Sequence, residues 1–138
     1  MNILPGEIAA ILSEGDMSLV NVLVKGQVLH AVIIDTPATN PNLSTGQPVR
    51  VLFKETEVMI ARQVSPLIIS VRNQLSCRIR KIEPGKLLCE LTLDWQPGDE
   101  HLTIRSIITR NACEQLDLKE DDLVIALVKT NEVSLAYD

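Results

Sequence analysis

The feature that most constrains this chain is that it repeats itself. The stretch GQPVRVLFKETEVMIA from Gly46 matches DDLVIALVKTNEVSLA from Asp121, so that Lys54 stands opposite Lys129, Glu57 opposite Glu132 and Val58 opposite Val133, each 75 positions on. At the same spacing LHAVIID from Leu29 matches within TIRSIITR from Thr103, with Leu29 opposite Ile104 and Ala31 opposite Ser106. At the front, NILPGEIAAI from Asn2 matches NQLSCRIRKI from Asn73, here 71 positions on. The change of spacing is a longer turn at Trp95–Glu100 in the second copy. A repeat on this scale implies two copies of one small fold, expected at 1–63 and 69–138, with Gln63–Leu67 and its Pro66 as the joint.

Each copy reads as a series of short strands. In the second these are Gln74–Glu83, Leu87–Asp94, His101–Ile108, Leu123–Lys129 and Val133–Ala136, divided by the turn signals Pro84-Gly85 and Pro97-Gly98. A short helix is expected after Thr109, which caps it while Ala112, Cys113 and Leu116 face inward. In the first copy the same element is DTPATN, with Thr36 as cap and Pro37 at the first helical position. Trp95 is expected as a partly buried cover for its barrel. Five strands and a small helix in so few residues point to an all-β chain of two tandem OB-like five-stranded barrels, each with one short helix. A barrel this small buries little surface alone, so packing of the copies together and oligomerisation are expected.

Composition narrows the function. Hydrophobic residues make up 46% and aromatics only 2%, which favours aliphatic strand cores. Nothing approaches the roughly 18 apolar residues in a row that would span a bilayer, and the start, with Pro5 and Glu7, is not a signal peptide. The three cysteines, Cys77, Cys89 and Cys113, form no close pair and read as reduced thiols of a cytoplasmic protein. His30 and His101 lack metal-ligand spacing, so no metal is expected by direct protein ligation. A net charge of −5 argues against a nucleic-acid binder, which also needs stacked aromatics where Phe53, Trp95 and Tyr137 are scattered. There is no nucleophile–base pairing, Gly-rich phosphate loop or paired-carboxylate pattern, so an enzyme is not expected.

Two segments carry a family resemblance. ISVRNQLSCRIRKIEPG, from Ile69, resembles the opening of Mop domains, the TOBE-type molybdenum-pterin-binding family, which begins Ser-Ala-Arg-Asn; here the tetrad is Ser70-Val71-Arg72-Asn73. LDLKEDDLVIALVKTNEVSLA is similar to the family's closing segment, and IITRNACEQL to its helix start. The first copy departs from the pattern: Met1 stands where Arg72 stands, and Glu55 where Thr130 stands. A site built from first-copy residues would lack the arginine and gain a carboxylate, so the two copies are not expected to supply equivalent ligands.

The resemblance implies an oxyanion site, with molybdate as ligand and tungstate as the alternative. Such an ion offers only acceptors, so its site needs donors and positive charge. Ser70 and Arg72 point to one side of an extended strand, and Arg72 brings a planar fork that stays protonated. Lys129, Thr130, Thr109 and Lys54 complete the candidate set. Taken alone, Arg72 reads as a surface ion-pairing residue and Lys129 as a solvated strand end; only the shared motif assigns them to a site. Lys54 is either the lysine of a second site or an interface salt bridge. Asn2 and Asn73, present in both copies, read as structural strand-end residues. Di-Mop proteins of the family implied here are homo-oligomers, trimers in preference to dimers, with ligand held between subunits for molybdenum storage and homeostasis. The alternatives are a molybdate-sensing module of a transporter ATPase or repressor, or an OB-type interaction domain. Neither nucleic acid nor membrane is an expected partner.

Overall fold

A computed structural model describes residues 1–62 and 67–137. Of the expected joint, Gln63–Pro66 lies outside the described residues. The first copy supplies β1 (Asn2–Glu14), β2 (Met17–Val24), β3 (Gln27–Ile33), β4 (Pro48–Phe53) and β5 (Met59–Ala61). The second supplies β6 (Asn73–Pro84), β7 (Leu88–Trp95), β8 (Leu102–Thr109), the helix α1 (Arg110–Gln115), β9 (Leu123–Val128) and β10 (Ser134–Tyr137). Single 3-10 turns, Glu55–Glu57 and Thr130–Glu132, precede the last strand of each copy. The chain is thus all-β, as two curled five-stranded OB-like sheets, with few helical residues.

The strands follow from period-2 burial. In β2, Ser18, Val20, Val22 and Val24 are buried and alternate with more exposed neighbours; in β7, Cys89, Leu91, Leu93 and Trp95 do the same. β1 and β6 each carry an extra residue against their partner, after Ile8 and after Ile79, and these bulges bend the long strand so that its sheet curls. Gly6 marks one close approach, because a Cβ there would lie 2.7 Å from Val22 Cγ1. The Lys25-Gly26 turn between β2 and β3 has positive φ at both residues, the geometry that suits a two-residue hairpin. Its counterpart is the longer Gln96–His101 connection.

The two sheets are not two self-contained copies. The first has the order β10-β4-β1-β2-β3 and the second β5-β9-β6-β7-β8. Each copy's last strand therefore completes the other copy's sheet: Ser134 pairs with Leu52, and Met59 with Leu127. Division near residue 63 separates the repeats along the chain, but not in space. Buried residues of both sheets belong to one core cluster, which includes Leu4, Val51, Phe53, Leu75, Leu93 and Val128.

Two details differ from the expectations. α1 forms as read, with Thr109 Oγ1 accepting from the Ala112 amide at 3.0 Å. DTPATN does not form a helix; it is a turn in which the Thr39 and Asn40 amides both donate to the Thr36 carbonyl. Pro41 is the reason, since it lacks a donor and excludes helical backbone at the residue before it. The Thr36 amide itself donates to Thr39 Oγ1, so the cap is reversed. Trp95 is not a partly exposed cover but a core residue at 1% exposure, standing where the first copy has Val24. The space it fills lies inside the second barrel.

Candidate functional site

The strand exchange creates two related ends. In the second sheet Asn73 opposes Val128 and Gln74 opposes Leu127. One step beyond the ladder in the same register, Arg72 comes opposite Lys129, where the chain leaves β9 and turns toward the other sheet. In the first sheet Asn2 opposes Phe53, and the same step puts Met1 opposite Lys54. Cross-strand neighbours at such a position have Cβ atoms about 5 Å apart.

Each end is clamped to the other copy by an asparagine. Asn73 Oδ1 accepts from the His30 amide at 2.8 Å, and Asn73 Nδ2 donates to the His30 carbonyl at 2.8 Å. Asn2 repeats this on Arg105, accepting from its amide at 2.8 Å and donating to its carbonyl at 2.9 Å. Both side chains are buried, at 2% and 5% exposure, so these bonds complete otherwise unpaired edge groups of β3 and β8. Asn2 and Asn73 are structural, as expected from sequence, and their partners are equivalent residues of the two copies.

The clamps decide what surrounds each cation. At the Arg72 end lie Lys129, Thr130 at the start of its 3-10 turn, and His30 of β3. Arg72 and Lys129 are exposed and make no ion pair among the described residues. His30 Nδ1 donates to Asn21 Oδ1 at 2.8 Å, and Nε2 has no hydrogen-bond partner among the described residues. Burial, and after it the charge of Arg72, holds the imidazole below its usual range. At the Met1 end the company differs. The N-terminal ammonium of Met1 forms an ion pair with Glu55, which also feels Arg105.

The two ends meet at a carboxyl pair. Glu57 and Glu132 are equivalent residues, and each carboxyl acts on the other. Their interaction holds Glu57 low and Glu132 high, with Lys54 and Lys129 beside them. The Lys54 amide also donates to Glu57 Oε1 at 3.2 Å.

Of the six residues assigned from sequence, the fold brings Arg72, Lys129 and Thr130 together and places Lys54 at the related end. Ser70 lies in the exposed approach to β6, and its hydroxyl makes no hydrogen bond among the described residues. Thr109 is not brought to Arg72. Its hydroxyl caps α1, beside a hollow of about 390 Å³ lined by Lys86, Arg110 and Glu114, and it lies four residues along β8 from Arg105, about 13 Å away. His30 and Arg105 were not among the assigned residues. Their pairing by the 75-residue repeat was legible, but nothing along the sequence says that each crosses to the other copy.

A second polar hollow, of about 180 Å³, is lined by Ser76, Arg78, Arg80, Asp94 and Gln96. Here the cations are already engaged. Arg80 donates to Asp94 at 2.9 Å and Arg78 to the Asp121 carbonyl at 2.8 Å, so a dianion would have to displace a carboxylate. The thiols offer no ligand set either: burial pushes Cys77 up to about 12 and, as the leading cause, Cys89 up to about 11.

Comparison with known proteins places this geometry. The TOBE domain profile matches residues 1–60 and again 69–135. The chain is 37% identical over 114 residues to the molybdenum-pterin-binding protein MopB of Rhodobacter capsulatus, covering 83% of this chain and 41% of that protein. It is 38% identical over 89 residues to the molybdenum import ATP-binding protein ModC of Rhizobium etli, covering 64% of this chain and 24% of that one. The chain therefore spans less than half the length of either relative. Among solved structures it is similar to the cytoplasmic molybdate-binding protein ModG in a molybdate-bound crystal form, with a TM-score of 0.89 and 28% identity, over 99% of this chain and 96% of that one.

Proposed function

The chain belongs to the TOBE-domain family, and from that premise we propose that it binds molybdate, holding the oxyanion for molybdenum storage and homeostasis in the cytoplasm. The observation that carries this reading is the position of Arg72 and Lys129, each one residue beyond the paired Asn73 and Val128, with no ion pair among the described residues and Thr130 next in the chain. The ligand is bound through its oxygens: Arg72 donates as a fork, Lys129 as a point charge, and Thr130 and Ser70 through hydroxyls or amides. Hydrogen bonds to charged groups contribute about 1.5–3 kcal/mol each. Four or five of them, less the dehydration of a dianion, leave about 8 kcal/mol, which is micromolar binding. The similarity to ModG supports the ligand. Discrimination from sulfate rests on size, and tungstate, the same shape and charge, competes.

The Arg72 end is open on one side. We take its remaining donors, including Lys54 or Thr109, to come from other copies of the chain in a homo-oligomer, a trimer in preference to a dimer. The family's role is binding and regulation, and no catalytic arrangement is assigned.

The test is calorimetric titration of the full chain with molybdate in millimolar sulfate. Micromolar binding is expected, weakened about 100-fold by Arg72→Ala through loss of two charge-assisted bonds, and strongly weakened by Lys129→Ala. Sedimentation with and without molybdate reads the assembly. Absence of heat, with no competition by tungstate, sinks the proposal.

A further inference from the structure

One exchange between the two ends introduces a negative charge: Glu55 of the first copy occupies the position of Thr130 in the second. Its carboxylate is ion-paired to the ammonium at Met1, which stands where Arg72 stands. Arg105, the equivalent of His30, is tied to the same corner through Asn2 and acts on Glu55. Lys54 immediately precedes Glu55, as Lys129 precedes Thr130. The ammonium of Met1 and the charge of Arg105 therefore both act on an acceptor-only group that belongs to the chain itself.

We infer that Glu55 is a built-in counter-ion that closes the first copy's end to oxyanions, so that each chain carries one open site and one plugged site. The inference rests on the oxyanion reading of the Arg72 end and deepens it. A carboxylate and a tetrahedral oxyanion make the same demand on donors, and two like charges do not share one set of cations. The hydrogen bond from the ammonium, the largest cause, holds the Glu55 carboxyl below its usual range, so the plug stays ionised at neutral pH. Its side chain is 28% exposed, close enough to solvent that removal of the charge leaves an accessible cavity rather than a buried void.

The experiment titrates the full chain and its variants Glu55→Thr and Glu55→Gln with molybdate. The wild type is expected to bind one ion per chain, and both variants one more, at least tenfold weaker because no arginine stands at that end. Glu55→Thr combined with Arg72→Ala is expected to keep the added site alone. The glutamine variant, isosteric with the native residue, guards against a folding defect, and urea midpoints check it. In parallel, carboxyl and guanidinium NMR signals are followed in the wild type. The Arg72 signal is expected to move on saturation and the Glu55 signal to stay. Two ions per chain in the wild type, an unchanged stoichiometry in both variants, or a Glu55 signal that moves with Arg72 overturns the plug. A chain in which neither signal moves and no variant binds overturns the oxyanion reading itself, and the plug with it.

Discussion

The Arg72 end and the Met1 end come from the same fold, occupy the same register position, and are clamped by the same asparagine device. Three of their differences bear on ligand chemistry: Arg72 against Met1, Thr130 against Glu55, and His30 against Arg105. At one end the cations make no ion pair among the described residues and the neighbouring group is a hydroxyl; at the other an ammonium and Arg105 act on a carboxylate. Backbone architecture and ligand chemistry are thus separable here. The repeat preserves what closes the sheets and lets vary what faces solvent.

The barrels themselves offer the largest test of that separation. Trp95 and Val24 hold equivalent buried positions, but the second copy fills its barrel with an indole. Trp95→Ala is expected to destabilise by about 3–5 kcal/mol and Val24→Ala by about 2 kcal/mol in urea unfolding. Equal losses would mean that the two cores are filled equivalently.

The clamps come next. Asn73→Ala and Asn2→Ala each remove two hydrogen bonds and leave an amide and a carbonyl of the other copy unpaired near the surface. Each is expected to cost about 2–3 kcal/mol by the same method. A cost at one end only would show that the two-fold resemblance is geometric and not energetic.

A smaller effect separates the ends by pH. His30 is held below its usual range by burial first and Arg72 second. A bound dianion offsets the charge of Arg72, so the imidazole takes up a proton on binding. Molybdate affinity should therefore rise as pH falls from neutral, by less than tenfold per pH unit for a single proton, and His30→Gln should flatten that slope. A slope unchanged in the variant places the proton elsewhere.

The smallest expected effect is at the carboxyl pair. Glu132 is raised, so its contribution to stability is present below its unfolded value and lost as pH rises through the folded one. Glu57 is lowered, and the opposite holds: its contribution is present above the unfolded value and lost as pH falls. Glu132→Gln should raise the melting temperature slightly at neutral pH, with the gain shrinking below about pH 4. Glu57→Gln also weakens the bond from the Lys54 amide, so its gain should be the smaller of the two. Identical curves for the two variants would remove the asymmetry.

The sequence made strand order within each copy readable because period-2 burial and turn residues are local. It could not reveal the exchange of β5 and β10, because periodicity fixes which face a residue presents, not which strand lies beside it. The same limit governs the site. Arg72, Lys129 and Thr130 sit close to one another through a single antiparallel pair, and a motif could mark them. His30 and Arg105 arrive from the other copy, and no spacing announces that. Thr109 meets the same limit: a threonine that caps a helix and one that binds an anion look alike along a chain. Pro41 shows the reverse, a local signal strong enough to forbid the helix that its position by repeat would suggest.

The exchange of final strands also has a consequence for the order in which the molecule is made. On the ribosome β1 to β4 emerge first, yet Leu52 has no outer neighbour until Ser134 has been translated. The earliest sheet is the last to be closed, and an arrested chain that stops after the first repeat exposes the bare edge of β4. Covalent linkage of the two repeats removes that exposure at any concentration, which makes the duplicated chain equivalent to a dimer whose partners can never be diluted apart.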